Sequence, residues 1–411
     1  MTSFKSIYIF SFYIITFLIF VLGGSIQFLL GFSNTVLTFF LTGFIFCVYG
    51  IYSINKHKLV LNKIVLFAAL YSCIIIITAL VRKSDIISTV AYLIFPLLPL
   101  GIYLFTFINY KENYISKITV FKAFFYISLI QLPVLIVQIY FYDFLILFNN
   151  SGQRIAWYDF MFGTFFIKSD HSLGIFILII VSIILFSEKK IQHAIKYPKI
   201  SIIYLGTTLF LTQSNISKVL FILLILGSVL GPVYKKYKGD FRFKALGVIL
   251  VVLLVSIGYS LKEEKFVQRK LGGSFEKQFS LQSAEKFYED TTAKRFQILI
   301  VAAKVLKTKW IGDGPYSYFD VRTGKFKQTR HFTQLIWTYF DLGIIGLIIV
   351  FFYMFYLISY LDIDKGIPFL IFIAIFLLYA LYTTILSDIA ILFALFTVFN
   401  KRIKQAKISS S

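Results

Sequence analysis

The class of fold follows from one apolar run, LIWTYFDLGIIGLIIVFFYMFYLISY, which extends from Leu335 to Tyr360. As a helix this run is long enough to cross a bilayer, which takes about 20 apolar residues. A polar stretch from Lys262 to His331 stands just before it, and its basic residues clearly outnumber its acidic ones. Because a chain made mostly of membrane helices has no folding need for so long a basic insertion, we expect this stretch to act on a charged or water-soluble group.

The composition extends the same conclusion to the whole chain. Of its 411 residues, 59% are hydrophobic and only 15% are charged, whereas about a quarter of an ordinary soluble protein is charged. We therefore predict an all-α polytopic membrane protein. The formal net charge of +22 can mark cytoplasmic loops or can line a site for an anionic ligand. No nucleic-acid partner is expected.

Apolar stretches predict about twelve transmembrane helices. They cover residues 7–30, 36–53, 62–81, 87–108, 121–147, 172–187, 200–213, 218–233, 245–261, 334–360, 367–386 and 388–400. The predicted organisation has three parts. Residues 1–261 form an N-terminal set of transmembrane helices with a short external loop near 149–170. Residues 262–333 form a large basic extracytoplasmic loop, and residues 334–411 form the last transmembrane helices and a cytoplasmic tail.

The distribution of Lys and Arg predicts the orientation, since these residues concentrate in cytoplasmic loops. Rich loops near residues 56–58, 111–122, 189–199 and 235–244 alternate with poorer ones near 31–35, 82–86 and 213–217. The alternation predicts cytoplasmic termini and places the loops at 149–170 and 262–331 outside. A basic external loop opposes the positive-inside tendency, from which long loops are largely exempt. That favours charge binding as the role of the large loop.

Metal and disulfide chemistry are not predicted. Cys47 and Cys73 each lie inside an apolar run, where a thiol is usually a small hydrophobe. The four histidines show no metal-binding spacing, and the predicted external face carries no acidic cluster suited to Mg²⁺. We therefore expect neither a metal site nor a cofactor. The first apolar run is interpreted as a transmembrane helix and not as a removable signal.

Three polar clusters fall on the predicted external face, and each has a plain alternative. The clusters are Arg295 with Gly312-Asp313-Gly314-Pro315 and Arg330-His331; Gln153-Arg154 with Lys168, Asp170 and His171; and Ser214-Asn215-Ile216-Ser217-Lys218. Ionisable groups at membrane depth are costly, so they tend to face a cavity or a ligand. However, a lone loop arginine is usually a solvated charge, and a boundary histidine is usually an interfacial residue. Asp170-His171 has the default interpretation of a helix cap followed by a buried polar residue.

Taken together, these residues resemble the signature region of the O-antigen ligase and O-antigen polymerase superfamily. The similar motifs are an arginine, the turn Trp310-Ile-Gly-Asp-Gly-Pro315, and a histidine that opens a membrane helix, His331-Phe-Thr-Gln-Leu-Ile-Trp-Thr-Tyr-Phe-Asp-Leu-Gly343-Ile-Ile-Gly346. Upstream, Arg154 followed by Phe166-Ile-Lys-Ser-Asp-His-Ser-Leu-Gly174 and the start Leu211-Thr-Gln-Ser-Asn-Ile-Ser-Lys218 are also similar. The resemblance covers residues 150–350.

The resemblance implies a GT-C-like glycosyltransferase that acts on lipid-linked sugars. It would work at the extracytoplasmic face of the bacterial cytoplasmic (inner) membrane, with a glycan on polyprenyl diphosphate as donor. Guanidinium forks match phosphate geometry, so we assign diphosphate binding to Arg154 and Arg295, with Lys218 and Arg330 as helpers. His331 has a suitable intrinsic pKa for a general base. Gly312 and Gly314 are expected to set the geometry of the loop.

We therefore predict an inverting, metal-independent polymerase of the repeat units of a surface polysaccharide, either O-antigen or capsule. The expected partners are the polyprenyl-diphosphate-linked oligosaccharide, the lipid bilayer and a chain-length regulator protein. A ligase that moves the glycan to lipid A–core is the first alternative. The residues do not separate the two, and we favour the polymerase because similarity to the ligase pattern is diffuse. A transporter or flippase of lipid-linked sugars is the second alternative, and it predicts discontinuous helices with polar groups at mid-membrane.

Overall fold

Helices make up nearly all of the regular structure. The computed structural model describes residues 4–56, 59–167, 169–186, 194–212, 214–237, 309–317, 319–320, 325–326, 334–361, 373, 377, 380 and 384–399. Within these parts, strand is limited to one short antiparallel pair, Phe319–Asp320 with Lys325–Phe326.

The helices of the described chain are α1 (Phe4–Phe17), α2 (Gly23–Leu30), α3 (Asn34–Lys56), α4 (Lys63–Arg82), α5 (Ile86–Tyr92), α6 (Ile94–Glu112), α7 (Lys117–Tyr140), α8 (Tyr142–Leu145), α9 (Asp170–Phe186), α10 (Pro198–Leu211), α11 (Asn215–Tyr237), α12 (Gln334–Ser359) and α13 (Ile389–Val398). A π-helical turn, Leu18–Leu22, joins α1 to α2. Short 3₁₀ turns lie at Ile146–Phe148, Trp157–Asp159 and Ile385–Ser387.

Six of the described helical stretches are long and apolar enough to cross a membrane. They are Phe4–Leu30, Asn34–Lys56, Lys63–Arg82, Ile86–Glu112, Lys117–Tyr140 and Gln334–Ser359. Shorter apolar helices lie at His171–Phe186, Pro198–Leu211, Ile216–Val229 and Ile389–Val398. This confirms the coarse prediction of an all-α polytopic membrane protein. The predicted span 245–261 and most of 367–386 lie outside the described residues, so the count of about twelve stays a prediction.

Side-chain caps and left-handed residues define the helix ends. Asn62, Asp85 and Ser116 accept hydrogen bonds from backbone N–H groups three residues ahead, at 3.1, 3.2 and 3.1 Å. Such caps satisfy N–H groups that the first turn of a helix leaves open. At the other end, Lys83 and Asn113 adopt positive φ values of 50° and 51° and close α4 and α6. These caps place the helix boundaries within a few residues of the predicted spans.

Contacts between loops sort the helix ends into two groups. At one end, which we call the Arg82 end, Arg82 Nε donates to the Gly312 carbonyl at 2.8 Å. At the opposite Glu112 end, the Glu112 carboxylate accepts from the Tyr52 hydroxyl at 3.0 Å and lies 3.6 Å from Lys56 Nζ. Since the longer helices run from one end to the other, the loops at 31–33, 82–86, 149–169 and 212–214 lie at the Arg82 end. These are the loops that the sequence predicts to be external.

Acidic and basic side chains also separate between the two ends. The described basic residues of the Glu112 end are Lys5, Lys56, Lys63, Lys111, Lys117, Lys122, Lys196 and Lys199, and the described acid there is Glu112. The described basic residues of the Arg82 end are Arg82, Lys83, Arg154, Lys218 and Lys309. The acids of that end whose side chains the structure describes are Asp85, Asp143, Asp159, Asp313, Asp341 and Asp388. The Glu112 end is therefore strongly positive, whereas the charges at the Arg82 end nearly cancel.

The loop after α7 departs from the predicted span 121–147. Helix α7 ends at Tyr140, and the chain turns so that the Tyr142 hydroxyl donates to the Ile155 carbonyl at 2.8 Å. The amide of Gln138 fixes the far side of the loop, because it donates to and accepts from the Gly163 backbone at 2.8 and 2.9 Å. Tyr142, Leu145 and Ile146 thus pack against a small hydrophobic cluster under this loop, and the apolar residues after 140 do not extend the helix.

Candidate functional site

Helix α12, predicted as one continuous span, is interrupted at Gly343. This residue has φ 79° and ψ −168°, so residues 334–342 and 344–359 form two helical segments. An interruption frees peptide groups that helical bonding would otherwise satisfy, and in a membrane such groups need partners within the protein. The predicted span 334–360 thus agrees in extent with α12, but the helix is broken at Gly343, which places an irregular backbone at the Arg82 end.

The segment 309–314 supplies partners for the interrupted helix. The Ile344 N–H donates to the Lys309 carbonyl at 2.9 Å. The Asp313 and Gly314 N–H groups donate to the carbonyls of Phe340 and Asp341 at 2.9 and 3.0 Å. The turn at 310–315 and the start of α12 were recognised as separate motifs in the sequence. In the structure their backbones are joined by hydrogen bonds. We call residues 309–317 with 334–346 the turn–helix unit.

Glycines allow the turn segment and the helix of this unit to approach so closely. A Cβ atom at Gly312 would lie less than 3.0 Å from the Asp341 backbone, and one at Gly343 less than 3.0 Å from the Trp310 carbonyl. Real Cβ atoms essentially never come that close, and the φ of Gly343 also belongs to a region that only glycine adopts readily. Gly314 lies against Ser84 of the α4–α5 loop. Both glycines singled out in the sequence therefore lie in the contact with the broken helix or the neighbouring loop.

Asp341 holds the end of the turn. Its carboxylate accepts from the Tyr316 and Ser317 N–H groups, each at 3.2 Å, and from the Ser317 hydroxyl at 2.7 Å. The side chain is 1% exposed. Burial raises the pKa of Tyr316, so this neighbour of Asp341 stays a neutral phenol. Sequence reasoning missed Asp341, although a single carboxylate inside a long apolar run was a usable signal.

Two further charges bind the turn–helix unit to the rest of the Arg82 end. Arg82 donates to the Gly312 carbonyl, and Lys309 forms an ion pair with Asp313. Sequence reasoning counted Arg82 only as part of a loop poor in basic residues. Its role depends on a contact between residues far apart in the chain, which no local pattern indicates.

A second polar cluster joins the other two groups predicted from the sequence. His171 Nδ1 lies 3.0 Å from Ser214 Oγ, which in turn lies 2.7 Å from Ser217 Oγ. Beside it, the Ser172 hydroxyl donates to Asp388 Oδ2 at 2.5 Å, and Asp388 also caps α13. Gly174 makes this packing close, because a Cβ there would overlap Ser217. The default interpretation of His171 was a buried polar residue, and the structure identifies Ser214 as its hydrogen-bond partner.

The remaining predicted site residues are only partly covered. Arg154 is exposed in the loop before α9, and Lys218 is half-buried in the first turn of α11. Both lie at the Arg82 end. His331, Arg295, Arg330 and Lys168 lie outside the described residues, so their roles stay predictions. Within the described part of the chain, no group of three or more His, Cys, Asp or Glu side chains could hold a metal ion.

Comparison with known proteins identifies no relative of this chain. No protein-family model matches the chain, and neither a curated protein nor a solved structure matches it.

Proposed function

We propose that this protein is a membrane glycosyltransferase that joins polyprenyl-diphosphate-linked repeat units of a surface polysaccharide. The observation that carries the proposal is the turn–helix unit. Two motifs of the resemblance, the turn at 310–315 and the helix start at 334–346, pack into one substructure through three backbone hydrogen bonds. Motifs that belong to one functional signature are expected to lie together in space, and these two do.

The separation of charges supports an extracytoplasmic site. Lys and Arg mark the cytoplasmic side of a membrane protein, and the Glu112 end carries most of the described lysines. The Arg82 end would then face outward in the bacterial cytoplasmic membrane. Arg154, Lys218, Gly312 and Gly314 all lie at that end. The full proposal includes about twelve spans in a GT-C-like arrangement.

The proposed reaction is a single displacement. The acceptor hydroxyl oxygen attacks the anomeric carbon of the donor glycan, and the bond from that carbon to the diphosphate oxygen breaks. A glycosidic bond forms, polyprenyl diphosphate leaves with the electron pair, and His331 takes the hydroxyl proton. Arg154 and Arg295 would hold the leaving diphosphate through charge-assisted hydrogen bonds. The configuration at the anomeric carbon is inverted.

One observation favours a transporter as the second candidate. Discontinuous helices with buried polar groups are common at transporter substrate sites, and α12 is broken beside the buried carboxylate of Asp341. Here, however, residues 309–317 of the chain itself occupy the break and bond to Asp341. A break filled by the chain's own backbone favours a fixed scaffold over a path for substrate.

Deletion of the gene followed by a gel of surface polysaccharide separates the candidates. Loss of the polymerase leaves a single repeat unit attached to the surface acceptor. Loss of a ligase leaves no attached glycan and accumulates lipid-linked polymer, whereas loss of a transporter traps lipid-linked units inside. A normal polymer ladder in the deletion strain would refute all three functions.

The orientation is tested by cysteine labelling from outside the cell. In a variant whose Cys47 and Cys73 are replaced by serine, Gln153→Cys at the Arg82 end should react with a membrane-impermeant maleimide. Lys199→Cys at the Glu112 end is the matched control, since this residue is also exposed, and it should react only after permeabilisation. The reverse pattern would place the candidate site in the cytoplasm and remove the proposed function.

A further inference from the structure

The side chain of Gln334, at the start of α12, is buried without a hydrogen-bond partner. Its exposure is 0%, and within the described residues neither Oε1 nor Nε2 makes a hydrogen bond. A buried polar group that is left without a partner destabilises a fold. Native structures therefore keep few of them, and each one calls for an explanation in strain, function, or a missing water or ligand.

Buried hydroxyl groups lie close to Gln334. One turn along α12, Thr338 donates its hydroxyl to the Gln334 backbone carbonyl at 2.7 Å. The hydroxyls of Tyr71 and Tyr92 lie beside Thr338. The amide of Gln334 thus adjoins a buried group of hydroxyls from α4, α5 and α12.

An aromatic wall adjoins these groups. Trp337 is half-buried, and its ring packs edge-on against Tyr316 with centroids 5.6 Å apart. Tyr316 packs in the same way against Tyr92 at 5.0 Å, and Phe95 lies 6.3 Å from Trp337. Since Tyr316 is also held by Asp341, this wall is attached to the turn–helix unit.

We infer that Gln334 and Trp337 form the binding site for the acceptor sugar, an inference that rests on the proposed polymerase. A sugar ring has an apolar face that packs on an aromatic ring and a rim of hydroxyls that both donate and accept. A planar amide offers two donors and one acceptor in a fixed arrangement, which suits neighbouring sugar hydroxyls. Gln334 also stands three residues after His331, the proposed base.

Substitution of Gln334 separates this role from a structural one. Gln334→Leu keeps the volume and removes the unpartnered amide, so the variant should unfold at the same or a higher temperature than the native protein. If the amide binds the acceptor, affinity for glycan should fall about tenfold or more, since two hydrogen bonds are lost. Trp337→Leu should give a similar loss, and Trp337→Phe a smaller one.

Gln138→Leu is the matched control. Its amide is also buried but bonds to the Gly163 backbone through both its oxygen and its nitrogen, so this variant should unfold at a lower temperature while its affinity for glycan stays unchanged. The probe is the glycan that mild acid releases from the cell's polyprenyl-diphosphate-linked material. It keeps acceptor hydroxyls and lacks the diphosphate, so it can accept but cannot donate. Binding is measured by calorimetry on the purified full-length protein.

Each outcome decides the inference. Equal affinity in Gln334→Leu and the native protein would overturn it and leave buried water as the partner of the amide, and so would a native protein that does not bind the released glycan. If Gln334→Leu fails to accumulate, Gln334→Asn, whose amide is one carbon shorter, should show the same loss of affinity. The deletion gel tests the polymerase independently, so polymer-forming cells with unaffected Gln334→Leu binding would refute the acceptor site alone.

Discussion

Replacement of Gly343 by alanine tests whether the turn–helix unit depends on the break in α12. The φ of 79° and ψ of −168° at this residue lie in a region that residues with a Cβ avoid. The added Cβ would also meet the Trp310 carbonyl at less than 3.0 Å. Because that contact is with backbone, relief requires residues 309–314 to move away from the helix.

The expected destabilisation follows from these two effects. Backbone strain of this kind costs about 1–3 kcal/mol. Displacement of 309–314 weakens at least one of its three backbone hydrogen bonds, which span 2.9–3.0 Å, and each contributes about 0.5–1.5 kcal/mol. We expect local opening of the unit to become easier by about 2–4 kcal/mol. That corresponds to about 30-fold to several hundred-fold in the opening equilibrium.

Hydrogen exchange measured by mass spectrometry on the purified protein reports this opening. The peptide that covers residues 309–317 should lose protection in Gly343→Ala, while peptides from α3 and α7 keep theirs. Gly43→Ala is the control, because a Cβ at Gly43 in α3 meets nothing within 4 Å, and a helical Gly→Ala change is neutral or slightly stabilising. Unchanged exchange at 309–317 in Gly343→Ala would show that the break does not hold the turn.

The remaining predictions concern one arginine, one histidine and one helix cap. Arg154→Lys should lose most polymer formation at a normal protein level, because lysine lacks the bidentate fork; a near-normal ladder would leave Arg154 as a solvated charge. His331→Ala should lower polymer formation by about 10²–10⁴-fold, and substantial activity in His331→Gln would indicate an orienting hydrogen bond in place of proton transfer. Asp388→Ala should lower thermal stability by about 1–3 kcal/mol, since buried Ser172 loses its partner and α13 its cap. Loss of the exposed cap Asp85 from α5 should cost less, and equal losses would contradict the structural role of the Ser172 contact.

The apolar runs predicted most of the described helices because hydrophobic length is a strong local signal. They could not predict the break in α12, since Gly343 stands in an uninterrupted apolar run and glycine is common in membrane helices. The end of α7 at Tyr140 could not be predicted either, because the apolar run continues beyond it. Apolar residues look alike whether they continue a span or fill a cluster under a loop.

For the candidate site, the sequence predicted on which side of the membrane each residue lies, but not which residues contact each other. The alternation of basic loops placed His171 and Ser214 on one face, but it could not predict that they form a hydrogen bond. That contact depends on the packing of α9 against α11, which Gly174 allows. Arg82 and Gly312 are separated by most of the chain, so their bond is likewise a property of the fold alone.

The way the break in α12 is closed bears on the choice between enzyme and transporter. Eight hydrogen bonds hold residues 309–317 in place: three between backbones, three to the Asp341 carboxylate, one from the Lys309 N–H to the Tyr339 hydroxyl and one from Arg82. At a net contribution of about 0.5–1.5 kcal/mol each, opening this region to the opposite side of the membrane would require several kcal/mol. Alternating access needs two conformations of comparable free energy. Because residues 309–317 are held in the break by so many hydrogen bonds, the Arg82 end is expected to be rigid. A rigid site favours an enzyme that acts at one face of the membrane.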